Sequence, residues 1–245
     1  MKPFTINEII EVDSTNNYLK TLLNTNQLPE GYVIVADFQN SGKGLGANTW
    51  ESEPGKNLTF SLLLRPDSLK AEDLFLLSKA VSLGIIDALN EIRNCFTIKW
   101  PNDIYYQNKK VGGILIENQI QGDYIKYSVI GIGININQDV FTSEAPNPIS
   151  LKQVFGHSAN NQEILKKVLN QISIWYDMLS DEYFDKINEQ YFSHLFRNTD
   201  YHDFKTGEEL FHAKIKEVAN DGQLILKTPA GEIRKFYLKE VEFVF

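Results

Sequence analysis

Apolar and polar positions alternate without a break from Ile130 to Asn137. Every even position is isoleucine, and the odd positions read Gly131, Gly133, Asn135 and Asn137. A strand turns successive side chains to opposite faces, so one face of this segment is continuous core. The other face is bare for two residues and then carries two carboxamides. A bare strand face is either a packing contact with a helix or the floor of a ligand groove. The carboxamides favour the groove, since each offers both donors and an acceptor, which suits a nucleobase or another amide-like ligand.

The same reading places elements along the rest of the chain. Asp13-Ser14-Thr15-Asn16, followed by Tyr18, Leu19, Leu22 and Leu23, predicts a capped amphipathic helix. Residues 32–38 and 58–64 predict strands. Pro66-Asp67-Ser68 opens a helical pattern running to about residue 93, with Leu74, Leu77, Val81, Ile85 and Leu89 on its apolar positions. Strands at 96–100 (continuing at 104–106), 111–117 and 124–137 are separated by the turns Gln107-Asn108-Lys109 and Gln121-Gly122-Asp123, which predicts an antiparallel meander. Pro146 and Pro148 mark a loop, and helices follow at 160–180 and 182–195. Near residue 197 the helical patterning stops. Short strands at 209–218, 224–228, 232–237 and 241–245 are joined by Asn220-Asp221-Gly222 and Pro229-Ala230-Gly231. The organisation expected is an α+β domain over residues 1–196, then a small β-barrel domain over 197–245.

Composition narrows the function. At 245 residues the chain has room for one large domain, or one large and one small. A net charge of −8 argues against nonspecific binding to nucleic acid or to an anionic membrane. The one cysteine, Cys95, permits no internal disulfide and fits a reducing compartment. Residues 1–11 carry no signal pattern, and no apolar run reaches the ~18 residues of a membrane span. The expectation is therefore a cytoplasmic protein with no membrane partner. His157, His194, His202 and His212 lack zinc spacing, so no structural metal is expected.

Lys99-Trp100-Pro101-Asn102-Asp103 sets a cation, a large flat apolar surface, a helix breaker and two turn-forming polar groups side by side. Pro101 cannot extend a central strand or enter a helix interior. Phe96-Thr97-Ile98-Lys99-Trp100 before it alternates in type and is rich in β-formers. Lys99 is thus expected near a strand end, on the face opposite Phe96, Ile98 and Trp100, where a lysine is either simply solvated or aimed at an anion. The next strand begins Val111-Gly112-Gly113, and two adjacent glycines weaken a strand unless something must approach its backbone closely.

A second candidate is the loop from Gln39 to Trp50, in which Gly42, Gly44 and Gly46 surround Lys43 directly after a strand. Such a loop can aim several backbone N–H groups at one anion, or it can be a plain glycine-rich hairpin. It is not a P-loop, since no Gly-Lys-Ser/Thr ending is present. Trp50 is either core or a flat wall for a ring. Lys110, with Lys99 and Lys43, would make a cluster of positive charge in an otherwise acidic protein, as an anion such as ATP with magnesium would need. Asp103 is the best-placed carboxylate for that ion; its other reading is an Asx-turn residue. No Ser-His-Asp arrangement is readable, and Cys95 reads as inert core. The chemistry expected is positioning and electrostatic stabilisation rather than a covalent enzyme intermediate.

Taken together, Asp13-Ser14-Thr15-Asn16, Gln39 through Trp50, Lys99 through Asp103, Lys110-Val111-Gly112-Gly113-Ile114 and Gly131-Ile132-Gly133-Ile134-Asn135 resemble the biotin–protein ligases in order and spacing. The resemblance implies the α+β fold of class II synthetases and biotin/lipoate ligases: a mixed or antiparallel sheet with packed helices, plus a small C-terminal SH3-like β-barrel. It implies an enzyme that joins biotin to ATP, making biotinyl-AMP and pyrophosphate, and then transfers biotin to one lysine of a biotin carboxyl carrier protein. By matching position, Ser14, Thr15 and Asn16 look like the groups around the biotin ureido head, with Gln39 beside them. Lys43, Gly44 and Leu45 occupy the loop that orders over biotin and the acyl phosphate. Lys99 looks like the catalytic cation on the biotin carboxylate and the developing mixed anhydride, and Lys110 like the one that neutralises phosphate. Trp50 and Asn135 would contact adenine, with Asn102 and Lys43 completing the ATP set. Asp103 would take Mg2+, and Gly112 and Gly113 would let biotin lie against the backbone.

Two departures matter. The family loop is commonly Gly-Arg-Gly-Arg or Gly-Lys-Gly-Arg, and here its last position is Leu45, which cannot pair with phosphate; Asn48 also stands where many members have arginine. Weaker retention of biotinyl-AMP is the expectation. Bifunctional members carry an N-terminal winged helix that binds DNA, and a first motif at Asp13 leaves no room for one. With the negative charge, that leads to an expectation of no nucleic-acid partner and no operator binding. The resemblance also extends to lipoate or octanoate ligases, which share the fold, and a non-catalytic biotin-binding protein is the third reading. The oligomeric state stays open, a homodimer through a sheet edge being one arrangement.

Overall fold

A seven-stranded sheet forms the centre of the protein in the computed structural model, which describes residues 3–142 and 147–245. In chain order its strands are β1 (Thr5–Val12), β2 (Tyr32–Gln39), β3 (Leu58–Leu64), β4 (Phe96–Lys99), β5 (Asp103–Tyr106), β6 (Lys109–Gln121) and β7 (Tyr124–Ile134). Across the sheet the order is β1-β2-β3-β7-β6-β5-β4, with β1 parallel to β2 and the remaining neighbours antiparallel. The helix α1 (Thr15–Thr25) connects β1 to β2, as a parallel pair requires.

The predicted alternation of β7 decides what covers each face. Ile130, Ile132 and Ile134 are at most 3% exposed and join the main core with α2 (Phe75–Asn90) and α4 (Asn161–Asp177). α2 is apolar nearly all round because α4 and α5 (Phe184–Ser193) also pack on it. On the opposite face Leu19 of α1 packs in a smaller cluster with Ile34, Leu63 and Val129. No helix among the described residues is long and apolar enough to cross a membrane.

A second, five-stranded antiparallel sheet follows: β8 (His202–Thr206), β9 (Glu209–Val218), β10 (Leu224–Lys227), β11 (Ile233–Phe236) and β12 (Glu242–Phe243), in the order β11-β10-β9-β8-β12. The expected barrel is not closed, because β11 and β12 remain as unpaired edges and β12 is only two residues long. This sheet is latched to the turn after β4 and to α2, whose Lys79 also holds α5. Trp100 Nε1 donates to the Gly222 carbonyl at 3.0 Å, the Phe75 N–H donates to Asn220 at 2.9 Å, and the buried Lys79 Nζ donates to Val218 O and to Asn188 Oδ1, each at 2.6 Å.

The sequence-based boundaries need correction in several places, among them the end of β7, which stops at Ile134 rather than 137. The helix expected from Pro66 begins at Phe75. Leu69 is buried, Lys70 pairs with Tyr124, and the Ala71 N–H is held by Asp123, so this stretch is committed to the β6–β7 turn. Residues 104–106 do not continue β4; the chain reverses at Trp100-Pro101-Asn102, putting Lys99 opposite Asp103. β1, β8 and the short helix α3 (Leu151–Phe155) were not anticipated. β1 breaks its alternation at Ile9-Ile10 and lies at an edge with Ile10 81% exposed. Of the predicted loop prolines, Pro148 pairs with Lys110 in an isolated bridge, and Pro146 lies outside the described residues.

Two stability predictions follow from this packing. At Gly84, an added Cβ would lie 2.6 Å from the Ile172 Cα and N, so α2 and α4 meet backbone to backbone. Gly84→Ala should cost about 1–3 kcal/mol in urea unfolding, as overpacking does; an unchanged midpoint would show that the helices can part freely. Burial pushes the Lys79 ammonium down to about 8 from 10.5, with Glu217 and Asp221 opposing. Between those pH values the unfolded chain binds more protons, so stability rises with pH. The stability of the wild type relative to Lys79→Met should therefore climb by about 3 kcal/mol over that window, and a flat difference would show that the amine titrates normally.

Candidate active site

The bare face of β7 lies beneath a cavity of about 200 Å³, far more than the ~30 Å³ of a single water. Both readings of that face hold at once. A Cβ at Gly131 would meet Asn16 Oδ1 at 2.5 Å, so α1 packs its first turn there. A Cβ at Gly133 would overlap the Trp50 indole, and Gly113, opposite it on β6, lies beneath Lys110 and Trp50. The glycines are the floor on which the cavity is built.

One end is polar and hydrogen-bonded. Ser14 stands at the N-cap of α1, but its side chain makes no capping bond and instead lines the cavity. Gln39 Oε1 accepts from both the Thr15 N–H (2.7 Å) and the Thr15 hydroxyl (3.0 Å), which leaves the Gln39 amide N–H groups free to donate. Asn16 is held from two sides. Its Oδ1 accepts from Ser61 at 2.5 Å, and its Nδ2 donates to Glu117 Oε2 at 2.9 Å and to Leu115 O at 3.3 Å. Glu117 is in turn paired with Lys20 at 2.6 Å. Burial alone would raise the Glu117 carboxyl, but the hydrogen bonds from Lys20 and Asn16 outweigh it and hold it below its usual range.

The other end carries charge. Lys110 Nζ lies 2.6 Å from Asp103 Oδ1 and 5.9 Å from the Trp50 ring centroid. The Trp50 Nε1–H is buried with no hydrogen-bond partner among the described residues. An orphaned indole donor beside a cavity is costly unless a ligand accepts from it. Asn102 clamps the turn: its Nδ2 donates to Ile114 O at 2.7 Å and its carbonyl accepts from the Ile114 N–H. The glycine loop is a small hairpin, with Lys43 bridged to Thr49 and the Gly44 N–H bonded to Asn48 O at 2.8 Å. Lys43 Nζ donates to Asn17 Oδ1, and Leu45 lines the cavity wall.

The structure thus gathers Ser14, Thr15, Asn16, Gln39, Lys43, Gly44, Leu45, Trp50, Asn102, Asp103, Lys110 and Gly113 around one space. Three expected residues stand apart. Lys99, the last residue of β4, lies just outside: its ammonium sits over the rings of Phe243 (4.9 Å) and Tyr105 (5.5 Å). Burial lowers its pKa, with Lys110 and Arg197 adding to the effect and Asp103 opposing it. Gly112 faces the other way from Gly113, toward Ile104 and Ile134, because adjacent strand residues alternate. Asn135 is buried past the end of β7, where its Nδ2 donates to Ile149 O at 3.3 Å. Asp103 Oδ1 is paired with Lys110, and no three His, Cys, Asp or Glu among the described residues cluster closely enough to hold an ion by themselves, so an ion at Asp103 would draw its remaining ligands from the nucleotide and water.

Sequence reasoning passed over Ser61, Glu117, Leu115, Leu238 and Lys239. A signal existed for the first: Thr59 and Ser61 are the polar positions, two apart, in the otherwise apolar β3. The last two come from the second sheet and carried none.

Residues 9–135 match the family described as Biotin/lipoate A/B protein ligase family. The chain is 33% identical over 236 residues to the bifunctional ligase/repressor BirA of Bacillus spizizenii, covering 94% of this chain and 71% of that protein. It is 28% identical to the biotin--[acetyl-CoA-carboxylase] ligase of Paracoccus denitrificans, covering 81% and 85%. Among solved structures, the biotin protein ligase from Aquifex aeolicus in complex with biotin and ATP superposes with a TM-score of 0.80 at 30% identity, covering 98% and 99% of the two chains. Fold, cavity and relatives agree, and the chain belongs to the biotin/lipoate A/B protein ligase family.

Proposed function

We propose that this chain is an ATP-dependent biotin–protein ligase. It activates biotin as biotinyl-AMP and passes the biotinyl group to a lysine of a biotin carboxyl carrier protein. The observation that carries this reading is the two-ended cavity, lined by hydrogen-bonding groups at the α1 end and by the Asp103–Lys110 ion pair at the other, over a floor of glycines. Biotin is polar at its ureido head and anionic at its carboxylate. The ureido oxygen needs donors and its two N–H groups need acceptors, and Ser14, Thr15, Asn16 and Gln39 supply both in fixed orientation. Lipoate or octanoate would leave the buried Ser14 hydroxyl, which makes no capping bond, without a partner, at a cost of about 1–3 kcal/mol.

In the first step a carboxylate oxygen attacks the α-phosphorus, the bond to the β-phosphate oxygen breaks, and pyrophosphate leaves. Two anions must approach, so fixed cations are needed where charge accumulates. We assign Lys110 to the phosphate and Lys99 to the carboxylate, a role for which Lys99 would have to turn from the Phe243 and Tyr105 rings toward the cavity. The unpartnered indole N–H and flat face of Trp50 suit the adenine. In the second step the carrier's lysine amine attacks the acyl carbon, AMP leaves, and the nitrogen loses a proton. The unpaired edge of β1, with Ile10 81% exposed, supports docking of a carrier strand or of a second copy.

Purified protein given magnesium, ATP and biotin should form biotinyl-AMP, and none of the corresponding adenylate should form from lipoate; product from lipoate alone would reverse the substrate assignment. Lys99→Ala should lower adenylation by about 100-fold or more, as loss of a transition-state electrostatic contact does, while biotin binding persists. Intact turnover in that variant would exclude Lys99 from the chemistry. Leu45→Arg should slow biotinyl-AMP release about tenfold by adding one charged hydrogen bond to phosphate, and an unchanged release rate would remove Leu45 as the cause of weak retention.

A further inference from the structure

The second sheet contributes to the cavity through the turn joining β11 to β12, where Leu238 and Lys239 line its wall. Lys239 has φ 69°, a left-handed backbone that residues with a Cβ rarely adopt and that concentrates at functional sites. The neighbouring carboxylate does not neutralise it: Glu240 Oε2 accepts from the Tyr237 N–H at 2.6 Å and closes the turn. From that turn the lysine reaches the glycine loop. A Cβ built on Gly46 would lie 2.7 Å from Lys239 Nζ and 3.2 Å from its Cε. The ammonium therefore lies against the loop next to Leu45, where the loop's own side chain is apolar.

The cavity-lining lysines differ in how they are satisfied. Lys43 donates to Asn17 at 2.9 Å, and Lys110 is paired with Asp103 at 2.6 Å. Lys239 has no hydrogen-bonding or carboxylate partner among the described residues. A strained backbone that carries an unpaired ammonium to a cavity rim, in a protein of net charge −8, suits an anionic ligand. An ammonium on a flexible stem is a point charge matched to a phosphate oxygen rather than a fork for a carboxylate. We infer that Lys239 is a binding residue for the phosphates of the nucleotide, delivered by the second sheet to the part of the loop that holds Leu45. The inference rests on the reading of the cavity as an ATP site, and it makes the second sheet part of the nucleotide site.

The test uses three variants of the full chain, with KM for ATP and for biotin measured separately in the biotinyl-AMP assay. Lys239→Gly suits the left-handed backbone, Lys239→Met keeps the length without the charge, and Lys239→Arg keeps the charge. Loss of the charge should raise the KM for ATP about tenfold, the scale of one charged hydrogen bond partly screened by solvent. It should also flatten the salt dependence of that KM, while the KM for biotin and the thermal midpoint stay at wild-type values and Lys239→Arg behaves as wild type. An unchanged KM for ATP in both the Gly and Met variants, with the wild type still making biotinyl-AMP, would overturn the assignment while leaving the ligase reading intact. A parallel rise in the KM for biotin would overturn it too, as a general disturbance of the cavity. A wild type that makes no biotinyl-AMP would bring down both readings together.

Discussion

The isoleucine column of β7 packs beneath α2 and α4, and that anchoring settles which way every other residue of the strand faces. Ile130, Ile132 and Ile134 are at most 3% exposed, so residues 131 and 133 are forced to the opposite face. No side chain fits there: at 131 it would strike Asn16, and at 133 it would strike the Trp50 ring. Glycine in a strand interior sacrifices packing and chain entropy. The apolar contacts on the reverse face offset that loss, so the sheet stays rigid beneath a floor that has no side chains of its own.

On this floor the two ends of the cavity are prepared by different physics. At the α1 end, hydrogen-bond direction matters. Ser61 and Glu117 leave Asn16 one amide orientation, and Thr15 does the same for Gln39. At the other end, charge is held ready under partial burial. Lys110 is balanced by Asp103, and Lys99 lies against two aromatic rings. Donors and charges that already line the cavity need little reorganisation when substrate charge develops, which is where electrostatic catalysis gains most; Lys99, held over its rings outside the cavity, is the exception.

Local patterns made most strands of the meander and the first turn of α1 legible, since each depends on neighbours a few residues away; the reversal between Lys99 and Asp103 was not, because the pattern reads 104–106 as the same strand continued. What escaped depends on parity and on distant partners. Gly112 and Gly113 look alike in sequence, yet only one can face the cavity, and the register against β7 selects Gly113. Asn135 looked like a continuation of the bare face, but the strand ends at Ile134 and its amide turns to Ile149. The face of Lys99 could be read from alternation; its ring partner Phe243 could not, because that residue arrives from another sheet. The short antiparallel strands of the second sheet were visible, but whether its edges meet is a matter of twist and strand length that no local pattern encodes.

The bond from Asn16 to Glu117 joins residues 101 apart in sequence. It bears on how the molecule comes to exist as well as on how it works. A contact of that span forms only after a large loop has closed, and its entropy cost is met only once β3, β7 and β6 have aligned between the two ends. Asn16 therefore acquires its orientation late, when the strands beneath it are already in register. A chain paused before that point would hold the helix and the meander but not the polar end of the cavity, so competence for the ligand is a marker of completed folding rather than of collapse.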